Sequence, residues 1–290
     1  MDASTRTARP TWKELLAREK PLLLPVAHDA LAARLIERAG FAAYSIGGFP
    51  LVGSRYGIPD IGLVGFGEMS AGMRDIMAAS SLPVLIDADD GYGDVKNVAR
   101  TIRGYEAMGA AAIFIEDQRA PKRCGHMAGK DVIDADVMAS KLRAAADARQ
   151  SADTFLIART DARGVHGLDE ALRRAELYLK SGADGIFVEA PLSVEELERI
   201  GKAFRGVPQL ANMLEDGRTP LLPPRDLYAL GFAMVAYPTT LIFRVARTVE
   251  KALADLKAGT LTLAGEGVGF DDFKAMTGFA EWAEVEQRHS

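Results

Sequence analysis

"EAMGAAAIFIEDQ", residues 106–118, contains in miniature the unit from which the rest of the chain is built. Met108-Gly109 closes a helical stretch, Ala110 to Ile115 form a short apolar run, and Glu116 and Asp117 stand at its end. A continuous apolar run of strand length suits a parallel strand covered on both faces. The pattern recurs. "LLLPVAHD" (22–29), "AAYSIGG" (42–48), "LPVLIDAD" (82–89), "AAAIFIED" (110–117), "FLIARTD" (155–161), "GIFVEA" (185–190), "PQLANM" (208–213) and "FAMVAYP" (232–238) make eight such runs. Helix-to-strand turns "AGF", "MGA", "SGAD" and "LGF" precede several of them. Between them lie helical patterns: "ALAARLIERAG" stops at Gly40, and "GLDEALRRAELYLKSGA" opens on acids and closes on Lys180 and Gly182, as the helix dipole and C-cap favour. Eight β/α units predict an α/β fold of the TIM-type (β/α)8 barrel, one domain over 1–290; a doubly wound open sheet is the alternative.

Composition narrows the function. The chain has 290 residues, 48% of them apolar, which suits one large barrel, and its net charge of −5 lacks the basic footprint of a nucleic-acid or membrane-surface binder. One cysteine excludes an internal disulfide framework, and the polar N-terminus lacks the apolar core of a secretory signal, so a cytoplasmic location is expected. The apolar runs are far shorter than the roughly 20 residues that span a bilayer. A further helix is expected at 241–259, then a C-terminal helical tail from about 265 whose "FKAMTGFAEWAEV" needs cover from a neighbouring subunit.

Barrel active sites form at the C-terminal strand ends. Those ends carry Asp29, Asp87 and Asp89 with Asp90 beyond, Glu116 and Asp117, Arg159 and Asp161, Glu189, and Asn212 with Glu215 beyond. So many buried carboxylates would cost several kcal/mol each without compensation, and a divalent cation resolves this. Oxygen ligands without clustered His or Cys point to Mg²⁺ or Mn²⁺. A single such acid is otherwise a helix N-cap or ion-pair partner, a reading open for Asp29, Asp117 and Asp161. In "DADDGYG" (87–93), strand alternation sends Asp87 and Asp89 to one side and Asp90 elsewhere. The lone Cys124 could be a small buried hydrophobe. Yet it sits in a polar segment after the fourth strand beside Lys122, Arg123 and His126, a setting expected to lower its pKa and ready it for proton transfer or attack. Gly125 and Gly129 make residues 118–131 pliable enough for a lid.

Together "GIPDIGL", "DADDGYG", "GAAAIFIEDQ", "PKRCGHMAGK", "ARTDAR", "FVEAP" and "LANMLEDGRTPL" resemble the isocitrate lyase and phosphoenolpyruvate mutase superfamily, over most of the chain. The resemblance is to its short lyases: 2,3-dimethylmalate lyase, 2-methylisocitrate lyase and the petal death protein. It implies Mg²⁺ contacted directly by Asp89, with Asp87, Asp60 and Glu116 around its waters, and a homotetramer in which a helix after the last strand packs on the neighbour. It further implies Arg159 on the keto acid, His126, Glu189 and Asn212 on the departing carboxylate, and Cys124 as general acid. The family's Ser-Gly pair after the second strand is Gly47-Gly48 here, leaving Ser45, Tyr44 or backbone amides to hold the substrate carboxylate, with Phe49 behind them.

The expected reaction is Mg²⁺-dependent cleavage of a 2-hydroxy di- or tricarboxylate into a 2-keto acid, chiefly pyruvate, and a carboxylate. Alternatives are an oxaloacetate hydrolase or decarboxylase, a carbon–phosphorus enzyme of the same superfamily, or a non-catalytic metabolite-binding barrel. Between substrates, "FVEAP" and "NMLEDGRTPL" favour a C2-alkylated malate over 2-methylisocitrate, whose third carboxylate would have to fall to a residue such as Arg218 or Thr219.

Overall fold

The computed structural model describes residues 9–260 and 267–290. Its elements run α1 (Trp12–Arg18), β1 (Leu22–Pro25), α2 (Ala30–Arg38), β2 (Tyr44–Ile46), α3 (Gly48–Tyr56), α4 (Phe66–Ala78), β3 (Val84–Asp87), α5 (Val95–Ala107), β4 (Ala112–Glu116) and α6 (Ala135–Ala148). They continue through β5 (Phe155–Thr160), α7 (Ala162–His166), α8 (Leu168–Lys180), β6 (Gly185–Val188), α9 (Val194–Ala203), β7 (Leu210–Asn212), α10 (Pro224–Leu230) and β8 (Met234–Tyr237). Three helices follow: α11 (Thr240–Lys257), α12 (Phe270–Met276) and α13 (Phe279–His289).

All eight expected strands form, and every ladder is parallel. Strands β2 to β6 pair in sequence, β1 pairs with β8 and β8 with β7. Parallel bridges Val26↔Ser45 and Ile186↔Gln209 join the two sets, so the ring closes as a barrel and the open sheet is excluded. Strand alternation then sorts the side chains. Leu22, Leu24, Leu85, Phe114, Ile157, Phe187, Leu210 and Met234 fill the interior. Ile86, Ile113 and Ile115 face the helical layer, as do Ile186, Val188 and Val235. Helix α1, set by a Thr11–Glu14 capping box, contributes fully buried Trp12, whose indole N–H lies 3.4 Å from Met234 Sδ in the interior core. Truncating such a residue typically costs about 3–5 kcal/mol.

The same two-residue period makes the site. One step beyond Leu85, Phe114, Ile157, Phe187 and Leu210 come Asp87, Glu116, Arg159, Glu189 and Asn212, the topmost interior positions of their barrel faces.

Helix α2 starts on Asp29, whose carboxylate accepts Ala32 N–H at 2.7 Å, and stops at Gly40, which has φ +81°. Asp29 is thus an N-cap. Helix α11 buries none of its 18 residues, and Val249, Leu253 and Leu256 are each more than half exposed. The tail is two helices, broken at Gly278 (φ +76°), and Phe270 and Trp282 lie open on it. Its expected start near 265 lies outside the described residues. Among those described, no helix is long and apolar enough to cross a membrane.

Candidate active site

The acids gather under the lid. Asp87 accepts the amides of Asp89 at 2.9 Å and Gly48 at 3.1 Å, so β3 and the start of α3 hold it. Asp89 has φ +47°, a left-handed backbone that is uncommon outside glycine and characteristic of constrained sites. Lys122 Nζ lies 2.5 Å from Asp60 Oδ1 and 2.7 Å from Asp89 Oδ1, the latter without hydrogen-bond alignment. Glu116 Oε2 is 3.1 Å from Arg159, while its buried Oε1 has no hydrogen-bond partner. Asp90 turns aside, accepting Tyr92 N–H at 2.8 Å.

Electrostatics follow from burial. Burial, reinforced by the charge of Asp89, raises Asp87 to about 6, and burial carries Glu116 well above its ordinary value despite Arg159. Asp60 is raised for the same first reason. Lys122 goes the other way: burial would lower it, but Asp89, Asp60, Asp87 and Glu116 hold it well above the usual lysine value.

These residues fit a divalent cation. Four carboxylates, those of Asp60, Asp87, Asp89 and Glu116, gather where burial resists their ionisation, and the Lys122 ammonium already stands as a cation among them. Asp89 Oδ1 and Glu116 Oε1 lack aligned donors. Among the described residues no three His, Cys, Asp or Glu side chains could enclose a metal by themselves. Mg²⁺ or Mn²⁺ keeps several waters and takes few protein ligands, so the free oxygens of Asp89 and Glu116 are the points at which one would be held.

On the other side of the cavity, Arg159 donates from Nε to Asp161 at 2.9 Å and from Nη2 at 3.2 Å. Glu189 is buried, which would raise its pKa, but Arg159 and His126 overcome this and hold it at about 2. His126 Nδ1 accepts Arg218 N–H at 3.0 Å, and its Nε2 lies 2.9 Å from Glu189 Oε1 without hydrogen-bond alignment. Asn212 Nδ2 approaches the same oxygen at 3.3 Å. Gly125 lies so close over Arg159 and Glu189 that any side chain there would collide with both.

The thiol departs from expectation. Burial raises the pKa of Cys124, with Glu189 adding to the effect, instead of the cationic neighbours lowering it. Lys122 is turned into the acids and Arg123 toward solvent and Ala128 O, so neither charge serves the sulfur. A thiol kept protonated is a proton donor more than a nucleophile.

Ser45, Gly47, Gly48, Asp60, Asp87, Glu116, Cys124, His126, Arg159, Glu189 and Asn212 all line one cavity, and Asp89 adjoins it through Lys122. Gly47 is the N-cap of α3 and offers no side chain; the Ser45 hydroxyl donates to Leu85 O at 3.0 Å. Tyr44 faces the helices and is no substrate ligand, because strand alternation turns it away from Ser45. Asp117 and Asp161 are ion-pair partners, of Arg174 at 3.1 Å and Arg159 at 2.9 Å. Sequence reasoning missed Lys122 among the acids, Lys130 on Asp161, and the apolar wall of Val26, Pro50, Leu214 and Pro238 that joins Phe49. The lysines were legible only as lid residues, since the turn of each side chain is set by folding.

Residues 12–257 match the phosphoenolpyruvate phosphomutase family. The chain is 41% identical to 2,3-dimethylmalate lyase of Eubacterium barkeri, over 96% of each, and 39% identical to 2-methylisocitrate lyase of Halalkalibacterium halodurans, over 91% of each. Among solved structures it is similar to 2,3-dimethylmalate lyase (TM-score 0.88, 33% identity, 94% and 92% covered) and to oxaloacetate acetylhydrolase (TM-score 0.91, 28%, 96% and 95%). It is also similar to phosphonopyruvate hydrolase solved with oxalate and Mg²⁺ (TM-score 0.83, 28%, 93% and 94%).

Proposed function

Because the chain belongs to the phosphoenolpyruvate phosphomutase family, within the isocitrate lyase superfamily, we propose that it splits a C2-alkylated malate such as 2,3-dimethylmalate into pyruvate and a simple carboxylate. It is a carbon–carbon lyase. The observation that carries the substrate is the cavity lining, in which Arg159, Glu189 and Asn212 are joined by the apolar Phe49, Pro50, Leu214 and Pro238. Alkyl groups suit those apolar residues, whereas a third carboxylate would have to draw on Lys122 or Arg159, already paired with Asp60, Asp89, Glu116 and Asp161, or on the exposed Arg123, and an unpaired buried charge costs several kcal/mol.

Asp89, with Asp87, Asp60 and Glu116 around it, would hold Mg²⁺ or Mn²⁺, which acts as a Lewis acid on the hydroxy acid. Arg159, fixed by Asp161, binds the keto-acid carboxylate. Asn212 donates to Glu189 at 3.3 Å and the His126 ring lies 2.9 Å from it without hydrogen-bond alignment, so both can reach a departing carboxylate held beside it. The 2-hydroxyl gives its proton to one of the carboxylates around the cation as the carbon–carbon bond breaks and the keto group forms, and the carbanion left on the departing fragment takes its proton from the Cys124 thiol, which burial keeps protonated, while the lid excludes water.

The long uncovered apolar face of α11, with the open tail, supports assembly with further copies, a homotetramer as expected from the resemblance. A cytoplasmic location remains part of the proposal.

Keto-acid release at saturating Mg²⁺ tests the reading. The kcat/KM for 2,3-dimethylmalate should exceed that for 2-methylisocitrate or isocitrate by at least about tenfold, or about 1.4 kcal/mol. A preference for 2-methylisocitrate, or oxaloacetate hydrolysis as the faster reaction, would overturn it.

A further inference from the structure

Lys130 ends the lid motif, six residues after the thiol, and does not line the cavity. Its side chain is nonetheless buried. The ammonium donates to Asp161 Oδ1 at 2.7 Å and to the carbonyl of Gly125, the residue next to Cys124. Asp161, fully buried, is the carboxylate that grips Nε and Nη2 of Arg159. It is fixed in turn by its amide on Asp117 Oδ1 at 2.8 Å, and Asp117 also accepts the hydroxyls of Thr160 and Tyr178, each at 2.8 Å. A continuous set of polar contacts therefore runs from behind the barrel, through the base of the substrate arginine, to the lid backbone beside the acid.

The other lid contacts do different work. Gln118 clamps the base, exchanging two hydrogen bonds with the backbone of Arg123 at 2.8 and 2.9 Å. The Arg119–Asp131 pair is more than half exposed on both sides, and such pairs stabilise little. Lys122 and His126 hold groups that substrate and cation must engage, so their contacts are exchanged during turnover. The Lys130 contact needs no such exchange and can persist through it.

We infer that Lys130 is a positioning residue, a latch that holds the Cys124 end of the lid in register with Arg159. This rests on Cys124 as the acid and Arg159 as the keto-acid clamp. With the latch in place, the thiol and the guanidinium are both referred to Asp161, so donor and substrate keep a fixed separation when the lid is down. Without it, the lid can still close through Gln118 but with the thiol misplaced, and a displacement of about 1 Å can cost about 100-fold in rate.

The test pairs amide hydrogen exchange of residues 124–129 with steady-state kinetics on Lys130→Met and Lys130→Arg. In ligand-free Lys130→Met the lid amides should exchange about tenfold faster while the barrel strands keep their protection. Its kcat on 2,3-dimethylmalate should fall about 100-fold with Mg²⁺ affinity unchanged. Lys130→Arg, which keeps the charge but must seat a bulkier guanidinium at the same buried site, should recover at least about tenfold of the kcat lost in Lys130→Met. Lid exchange and kcat within about twofold of wild type in Lys130→Met overturn the latch, and so does a loss of protection spread evenly over the barrel. Failure of the wild type to cleave any alkylated malate refutes the functional reading instead, and the lid-exchange comparison still decides whether Lys130 holds the loop.

Discussion

Replacing Asp87 by Asn should stabilise the metal-free protein at neutral pH and destabilise it in acid. Burial, with Asp89 beside it, raises the Asp87 carboxyl from 3.8 to about 6. A carboxyl with a raised folded pKa binds its proton more tightly when folded. Its burial costs nothing below about pH 3.8, where both states are protonated, and stability is lost as pH rises to about 6. Above that the loss is about 3 kcal/mol. Asparagine removes the charge but presents its amide group to one of the two backbone N–H donors, from Asp89 and Gly48, forfeiting about 1 kcal/mol. In EDTA the variant should therefore be more stable by about 2 kcal/mol at pH 7.5 and less stable by about 1 kcal/mol near pH 3. Urea unfolding at both pH values measures this. Saturating Mg²⁺ should reverse the neutral-pH order, because ligand binding stabilises only the form that holds it. A difference that does not change with pH, or a variant weaker than wild type in EDTA at pH 7.5, would refute the electrostatic reasoning.

Chelation should stop turnover and Mg²⁺ or Mn²⁺ restore it, while Asp89→Ala should not respond to added metal; undiminished activity after exhaustive EDTA treatment would remove the cation from the reaction. Because burial raises the Cys124 pKa, its alkylation by iodoacetamide at pH 7.5 should be slower than that of free cysteine, and a faster rate would mean an activated thiolate. A Cβ on Gly47 would meet nothing nearer than 3.5 Å, so Gly47→Ser should fold normally and, by restoring the hydroxyl, lower KM for the hydroxy acid; loss of soluble protein would show that the site is tighter than its geometry. Leu253→Glu with Leu256→Glu should reduce the assembly seen by light scattering, whereas a monomeric wild type would contradict a covered α11.

The barrel was legible because each strand repeats one pattern, and the site because that pattern ends on a polar residue two positions past the last interior apolar one. Asp87, Glu116, Arg159, Glu189 and Asn212 were legible as polar strand ends, and the packed interior shows why these and not Asp29, Asp117 or Asp161 line the cavity. Between Ser45 and Tyr44 the sequence left the choice open, and only the packing shows that Ser45 lines the cavity and Tyr44 faces the helices. The lid was legible as a motif but not in its contacts. Lys122 could equally have faced the thiol, solvent or the acids, and what decides it is the charge of carboxylates drawn from β3, β4 and the segment after α3. Helix α1 carried a single buried tryptophan rather than a long periodic face, so its role beneath the barrel interior emerged only from packing.

The most direct test of a lid-borne acid is keto-acid release by Cys124→Ser, measured beside the affinity of the same protein for pyruvate with Mg²⁺. A serine hydroxyl is too weak an acid to deliver the proton, yet it leaves the carboxylates and Arg159 untouched. The kcat should fall by far more than tenfold, or about 1.4 kcal/mol, with pyruvate affinity within about twofold of wild type. A variant retaining more than about a tenth of wild-type kcat would contradict the assignment of the proton to Cys124.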